Sequence, residues 1–288
     1  MTNQIQTSGF INAINYDFSE AFAISNPAKS ATLSLLIQEN GVGKADAVFQ
    51  QKIIKELSKT GTSGGKAEGA KAGENEKSTR TTVKNVCEIF SKTASVSGTA
   101  KALNNALYAE ELNDRIAEIK EDINTALIAG TYSESDPFRM KGLTKAAKGK
   151  VTLAAAVLTE EELDQAIQAL GTKGNVYLAV SPANMFAVQR ALIGDKAAIQ
   201  LATTSTEAGI NITSYVSAQG IKVTLYAETA LAAGTYMLFD MDKVEYRELR
   251  PVHVEPLAKE GDYDHALIVG QVTNLANPAS IVVLTNAA

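Results

Sequence analysis

Apolar residues recur at steps of three to five along Leu103, Leu107, Leu112, Ile116, Ile119, Ile123 and Leu127, the stripe of an amphipathic helix. The pattern predicts one continuous helix over Thr99 to Ala129, about 45 Å long at 1.5 Å per residue, closed by Gly130 as its C-cap. Its other face carries Glu110, Glu111, Asp114, Arg115, Glu118, Lys120, Glu121 and Asp122, which reads as a solvated or interfacial surface. Downstream the pattern turns α/β. Thr159 followed by Glu162 is a capping box opening a helix through Ile167 to Leu170. Val176 to Val180 reads as a buried strand and Ser181-Pro182 as the start of another helix. Strands are predicted at Ile210 to Val216, Ile221 to Ala227, Tyr236 to Leu249, Ala266 to Val272 and Ile281 to Leu284.

Upstream the pattern is weaker. The first forty residues are polar and irregular with spaced aromatics at Phe10, Tyr16, Phe18 and Phe22, as expected of an arm that encloses no core of its own. From Ala45 to Leu57 the apolar positions fit helical spacing better than alternation, with an extended segment still open. Ser58 to Arg80 has no aliphatic residue beyond alanine and no aromatic, so it cannot build a core. Loops of this length inside compact domains are usually functional or disordered. Thr81 to Val96 is rich in β-branched residues, which makes the loop the expected tip of a long projecting hairpin.

Composition narrows the function more than it names it. The chain has 288 residues, 27 basic against 32 acidic side chains and a net charge of −5. This argues against a dedicated nucleic-acid reader that neutralises many phosphates, while leaving local basic patches open. One cysteine, Cys87, excludes an intrachain disulfide framework and points to a reducing site of assembly. No secretory signal is legible at the N-terminus, and no apolar run nears the 18 to 20 residues of a membrane span. Two histidines and no tryptophan leave few general bases or metal ligands.

The motifs that could carry chemistry fail on context. Lys66 stands where a phosphate-binding loop starting at Gly61 needs a glycine, and Asp46 replaces the third glycine of a dinucleotide fingerprint at Gly41-Val42-Gly43. Gly61-Thr62-Ser63-Gly64-Gly65 satisfies the nucleophile-elbow pattern, but a polar tract follows it instead of a helix that would hold Ser63 against a base such as His253 or His265. The cluster from Lys259 to His265 lacks the register of a calcium loop. Asp240 and Asp242 read as a turn, and Cys87 as a buried thiol. No catalytic, cofactor or metal site is expected, and the residues lean against an enzyme.

The order of parts carries the resemblance: an N-terminal arm, a long charged hairpin, a spine helix, an α/β middle and returning strands. Ser95-Val96-Ser97-Gly98-Thr99 resembles the VSGT segment before the spine helix in one branch of phage head proteins. Val244 to Asp262 resembles that branch's "LRP, then LAK-x-GD" segment. Together they resemble the major capsid proteins of tailed phages, with the HK-ninety-seven-like fold. The resemblance implies an α+β chain divided into an arm (1–40), an E-loop hairpin with its flanks (41–95), a peripheral domain (96–150 and 235–288) and an axial domain (151–234). It implies an icosahedral, DNA-enclosing head in the virion, assembled in the bacterial host cytoplasm from pentamers and hexamers. Portal, scaffolding or decoration proteins are the expected partners, with no membrane and no cofactor. Lys66, Glu68, Lys71, Glu74, Glu76, Lys77 and Arg80 would be inter-subunit contacts of the E-loop. An encapsulin-like bacterial shell around a cargo protein is the alternative with the same fold.

Overall fold

The computed structural model describes residues 29–56, 68, 79–104, 106–155, 157–171, 174–193, 202–207, 210–259 and 261–286. Its helices are α1 (Ala31–Asn40), α2 (Gly98–Leu103), α3 (Leu107–Ala129), α4 (Leu143–Ala146), α5 (Glu160–Leu170) and α6 (Pro182–Ile193). Strands β1 (Gly43–Lys44), β11 (Val244–Pro256), β12 (Tyr263–Ala276) and β4 (Glu88–Ser97) form a four-stranded sheet in that order. A seven-stranded sheet runs β5 (Gly149–Leu153), β13 (Ile281–Asn286), β10 (Thr235–Asp240), β6 (Val176–Val180), β9 (Lys222–Ala227), β8 (Ile210–Val216), β7 (Ala202–Glu207). The expected division between residues 234 and 235 falls at the first strand residue of β10, inside that sheet. Strands β2 (Phe49–Glu56) and β3 (Thr79–Val86) pair only with each other.

Strand alternation sorts the large sheet between two cores. Tyr177, Ala179, Met237 and Phe239 face α1, α3 and the four-stranded sheet, packing with Leu33, Leu36, Ile119, Ile123 and Leu127. Their neighbours Leu178, Val180, Tyr236 and Leu238 face the opposite side, where Leu163, Ile167 and Leu170 of α5 and Val188 and Leu192 of α6 cover them. Burial on both faces explains why Val176 to Val180 is apolar without a break. The capping box is present, with Thr159 accepting from the Glu162 N–H and the Glu162 carboxylate accepting from the Thr159 N–H.

Four expectations change. The predicted spine is two helices: α2 ends at Leu103, and α3 spans 23 residues, about 35 Å. Asn104 makes the break, its side chain accepting from the Ala106 N–H at 3.0 Å, and Leu103 is left 85% exposed. Gly130 does end the helix, but with an ordinary φ of −50°. A glycine is required there by crowding, because a Cβ would lie 2.4 Å from the Ala126 carbonyl oxygen and 2.6 Å from that of Met140.

The segment from Ala45 to Leu57 holds a strand, β2, and not a helix. The last ten residues of the expected arm form α1, with Ala31 to Leu36 buried throughout. Lys120, placed on the polar face by its sequence position, is fully buried, and burial lowers its pKa to about 8. The remaining polar face, read as a solvated or interfacial surface, carries an ion-pair network: Arg115 bridges Glu111 and Glu118 at 2.7 and 2.6 Å, and Lys92 of β4 reaches Asp122 at 2.8 Å.

Candidate assembly surfaces

Three places are built to project or to hold a projecting part. The first is the β2–β3 hairpin, which leaves the body beside Cys87, where the Cys87 N–H donates to the Val48 carbonyl at 2.8 Å. Its root is fixed by polar groups. Asn85 is buried, donating to the Asn274 carbonyl at 2.8 Å and accepting from the Lys141 N–H at 2.8 Å. Lys52 pairs with Glu245, and Arg247 donates to the Gln50 side chain at 3.2 Å. Among the described residues of the hairpin, Phe49, at the root opposite Val86, and Ile53, four residues further along the same face, are 52% and 61% exposed. The Phe138 ring, 5.5 Å from Phe49 and edge-on, is the one aromatic neighbour recorded for it among the described residues.

Of the sequence-predicted contact residues, Arg80 is exposed near the described end of β3, opposite Lys55, and Glu68 lies exposed in a turn. Lys66, Lys71, Glu74, Glu76 and Lys77 lie outside the described residues, as does Ser63. Phe49 and Ile53 were not singled out from the sequence. Their only signal was an apolar pair on a segment with nothing nearby to cover it.

The second place anchors the N-terminal segment. Glu228, buried just past the end of β9, takes four hydrogen bonds. Its Oε2 accepts from the Thr32 N–H and hydroxyl at 2.9 and 2.6 Å; its Oε1 accepts from Asn124 at 2.8 Å and from the Ala230 N–H at 3.0 Å. Because Thr32 commits its one hydroxyl proton to the carboxylate, Tyr226, at 2.7 Å, is the donor to Thr32. Asn124 of α3 also accepts from the Leu33 N–H at 3.0 Å. The unpaired N–H groups of the first turn of α1 are thus capped by side chains of α3 and the large sheet. Burial pushes the Glu228 carboxyl above its ordinary range, against the pull of those donors.

The third is the tip where β11 and β12 meet α2. Here the two signature segments touch: the Gly98 N–H donates to the Asp262 carbonyl at 2.8 Å, and Ser97 pairs with Tyr263 across the sheet. The Ser97 hydroxyl caps α2 by accepting from the Ala100 N–H at 3.2 Å. Asp264 is held by Lys101 and Lys259, each at 2.6 Å, and these two ammonium groups keep its carboxyl below the usual range. The Leu-Arg-Pro of the second signature lies at an irregularity in the β11–β12 pairing between Glu248 and His253, which is where a strand tolerates a proline.

Chemistry of the enzymatic kind finds little here. Among the described residues no three His, Cys, Asp or Glu side chains cluster as metal ligands. His253 bonds Glu255 of its own strand at 2.8 Å. Cys87 is buried, which pushes its thiol up to about 11 and keeps it protonated. Asp240 and Asp242 form the turn read from the sequence, with Asp240 accepting from the Asp242 N–H at 3.2 Å. No described helix is long and apolar enough to cross a membrane.

No curated protein matches the chain significantly. Among solved structures it is similar to the capsid of a native GTA particle (13% identity, 91% of each chain covered, TM-score 0.63). The SrpI encapsulin of Synechococcus elongatus PCC 7942 is also similar, at 13% identity over 88% of each chain with a TM-score of 0.62. A structure of Mycobacterium phage Bobi follows at 14% identity, covering 88% of this chain and 90% of that one with a TM-score of 0.57. These likenesses show the HK-ninety-seven-like fold. The model of the SU10 major capsid protein family matches residues 2–288, nearly the whole chain, and the chain therefore belongs to that family as a major capsid protein, a structural part of the virion.

Proposed function

We propose that this protein is the repeating subunit of an icosahedral phage head enclosing double-stranded DNA, built from pentamers and hexamers, and that it catalyses no reaction. The observation that carries the reading is the β2–β3 hairpin, a two-stranded sheet with Phe49 and Ile53 exposed, whose described contacts with the body lie at its root. An isolated hairpin is marginal in water, so its apolar face is stabilised by what it docks onto, and in a closed shell the same contact repeats at every copy. The hairpin is the E-loop in this reading, with Lys66, Glu68, Lys71, Glu74, Glu76, Lys77 and Arg80 setting its register on the neighbour. The peripheral domain (96–150 and 235–288) centres on α3 and the four-stranded sheet and lends β10 and β13 to the seven-stranded sheet, whose β6 to β9 belong to the axial domain (151–234). Portal, scaffolding or decoration proteins complete the set of partners.

Ile53→Asp tests this directly. The variant should remain folded by circular dichroism while losing shells in negative-stain electron microscopy. Normal shells from Ile53→Asp would overturn the docking role of the hairpin. The likeness to the SrpI encapsulin supports a second reading, a shell around a cargo protein. Nuclease-protected DNA in purified particles favours the phage head, and a stoichiometric co-purifying protein favours the nanocompartment.

A further inference from the structure

A groove of about 570 Å³ opens between the C-terminal end of α3, helix α4 and the edge of the seven-stranded sheet. Lys145 of α4 and Lys150 of β5 flank it, and no carboxylate lines it. The setting is one-sided in charge: from Pro137 to Thr159 the chain carries five basic residues and no acidic one. Lys145, Lys148 and Lys150 are all exposed, and none makes an ion pair among the described residues. The hydroxyls of Thr131, Thr235 and Thr285, which also line the groove, make no hydrogen bond there either. The carbonyl of Ile128 at the C-terminal end of α3 accepts from the Thr144 hydroxyl at 2.6 Å, so it is engaged within the groove wall.

Lysines on an edge strand also discourage strand-to-strand aggregation, and Lys150 on β5 meets that need. Lys145 lies across the groove on a helix, where no edge needs protecting. The geometry points to a non-specific binding site for phosphate groups of a polyanion, with ammonium and hydroxyl donors converging on one groove. Docked proteins are anchored by buried aromatic side chains and arginines, and no aromatic or arginine lines this groove. Lysine and threonine are instead ordinary donors to phosphate oxygens. Identifying the polyanion as double-stranded DNA rests on the phage-head reading. A local contact of about three phosphates on a molecule of net charge −5 tethers packaged DNA weakly, without reading sequence.

The test uses the full chain and a fluorescent random-sequence DNA duplex, with binding measured by anisotropy between 50 and 200 mM salt. The triple variant Lys145→Gln, Lys148→Gln, Lys150→Gln should bind at least tenfold more weakly at 50 mM and reduce the log–log salt slope by about 2.7, each single substitution by about 0.9. A control with the same charge change elsewhere, Lys44→Gln, Lys84→Gln, Lys222→Gln, should leave the slope near that of the unmodified chain. Equal losses in the two triple variants, no DNA binding at 50 mM, or equally tight groove-dependent binding of polyglutamate would each overturn the inference. Electron microscopy of the groove variant keeps the two readings apart. Shells formed by a chain without groove binding leave the capsid role standing. DNA binding by a chain that never forms shells would remove that role without touching the groove.

Discussion

A Cβ on Gly98 would lie 2.2 Å from Asp262 Oδ1, but Asp262 is exposed and its carboxylate, the mobile end of the side chain, can swing aside. Gly130→Ala has no such relief, because its Cβ meets the backbone carbonyls of Ala126 and Met140, and overpacking of this kind costs about 1–3 kcal/mol. Thermal unfolding should show the loss for Gly130→Ala, and an equal loss for Gly98→Ala would show that Asp262 cannot move away from Gly98. Asp264 beside it gives a pH dependence with a definite sign. Its folded carboxyl titrates below the ordinary range because Lys101 and Lys259 hold the charged form. The pairing therefore stabilises the fold at pH values above the unfolded carboxyl's range and is lost as pH falls through that range to the lower folded value. Asp264→Asn should cost about 1 kcal/mol near pH 7, with the gap to the unmodified protein closing below about pH 4. Glu228 is the more demanding site. A glutamine amide there sets its NH₂ either against two donors, Asn124 and the Ala230 N–H, or against the Thr32 N–H with the Thr32 hydroxyl forced to turn, so Glu228→Gln should destabilise by about 2 kcal/mol, measured by denaturant unfolding.

At the scale of elements, legibility followed how local the governing physics is. The Thr159–Glu162 capping box and the doubly buried strand Val176–Val180 were readable because each obeys a rule contained within a few residues. Helix α1 was not, since Ala31 to Leu36 are buried on all sides and leave no polar face to set a period. Strand β2 was ambiguous for a different reason: Phe49 and Ile53 are four residues apart, a spacing shared by one helix face and one strand face. The break after Leu103 was hidden because that leucine fits the stripe of α3 in sequence while standing exposed in space. The candidate surfaces divided in the same way. The hairpin was legible from the β-branched run of Thr81 to Val96 that became β3 and β4, while its expected tip lies outside the described residues, and the signature segments at Gly98 and Asp262 were legible as strings. The anchor at Glu228 joins residues about a hundred or two hundred positions apart, which no local pattern reports. That anchor makes α1 part of the body, so loosening it with Thr32→Val should increase hydrogen exchange at Leu33 and Ser34 without abolishing the fold. Unchanged exchange would show that packing alone holds the helix.

For the whole molecule, the two cores and the self-paired hairpin divide the work. The body carries its own stability through the packing of α1 and α3 between the sheets and of α5 and α6 on the far face. In the proposed reading the hairpin's apolar face docks on another copy. A net charge of −5 suits a wall around DNA that must not hold its contents tightly, and the proposed lysine groove would confine contact to one strip. Electron microscopy of the purified full-length chain at high concentration tests this division most directly. The account predicts uniform icosahedral shells, or open fragments with the same curvature. A monodisperse monomer that persists across concentration and salt would contradict it.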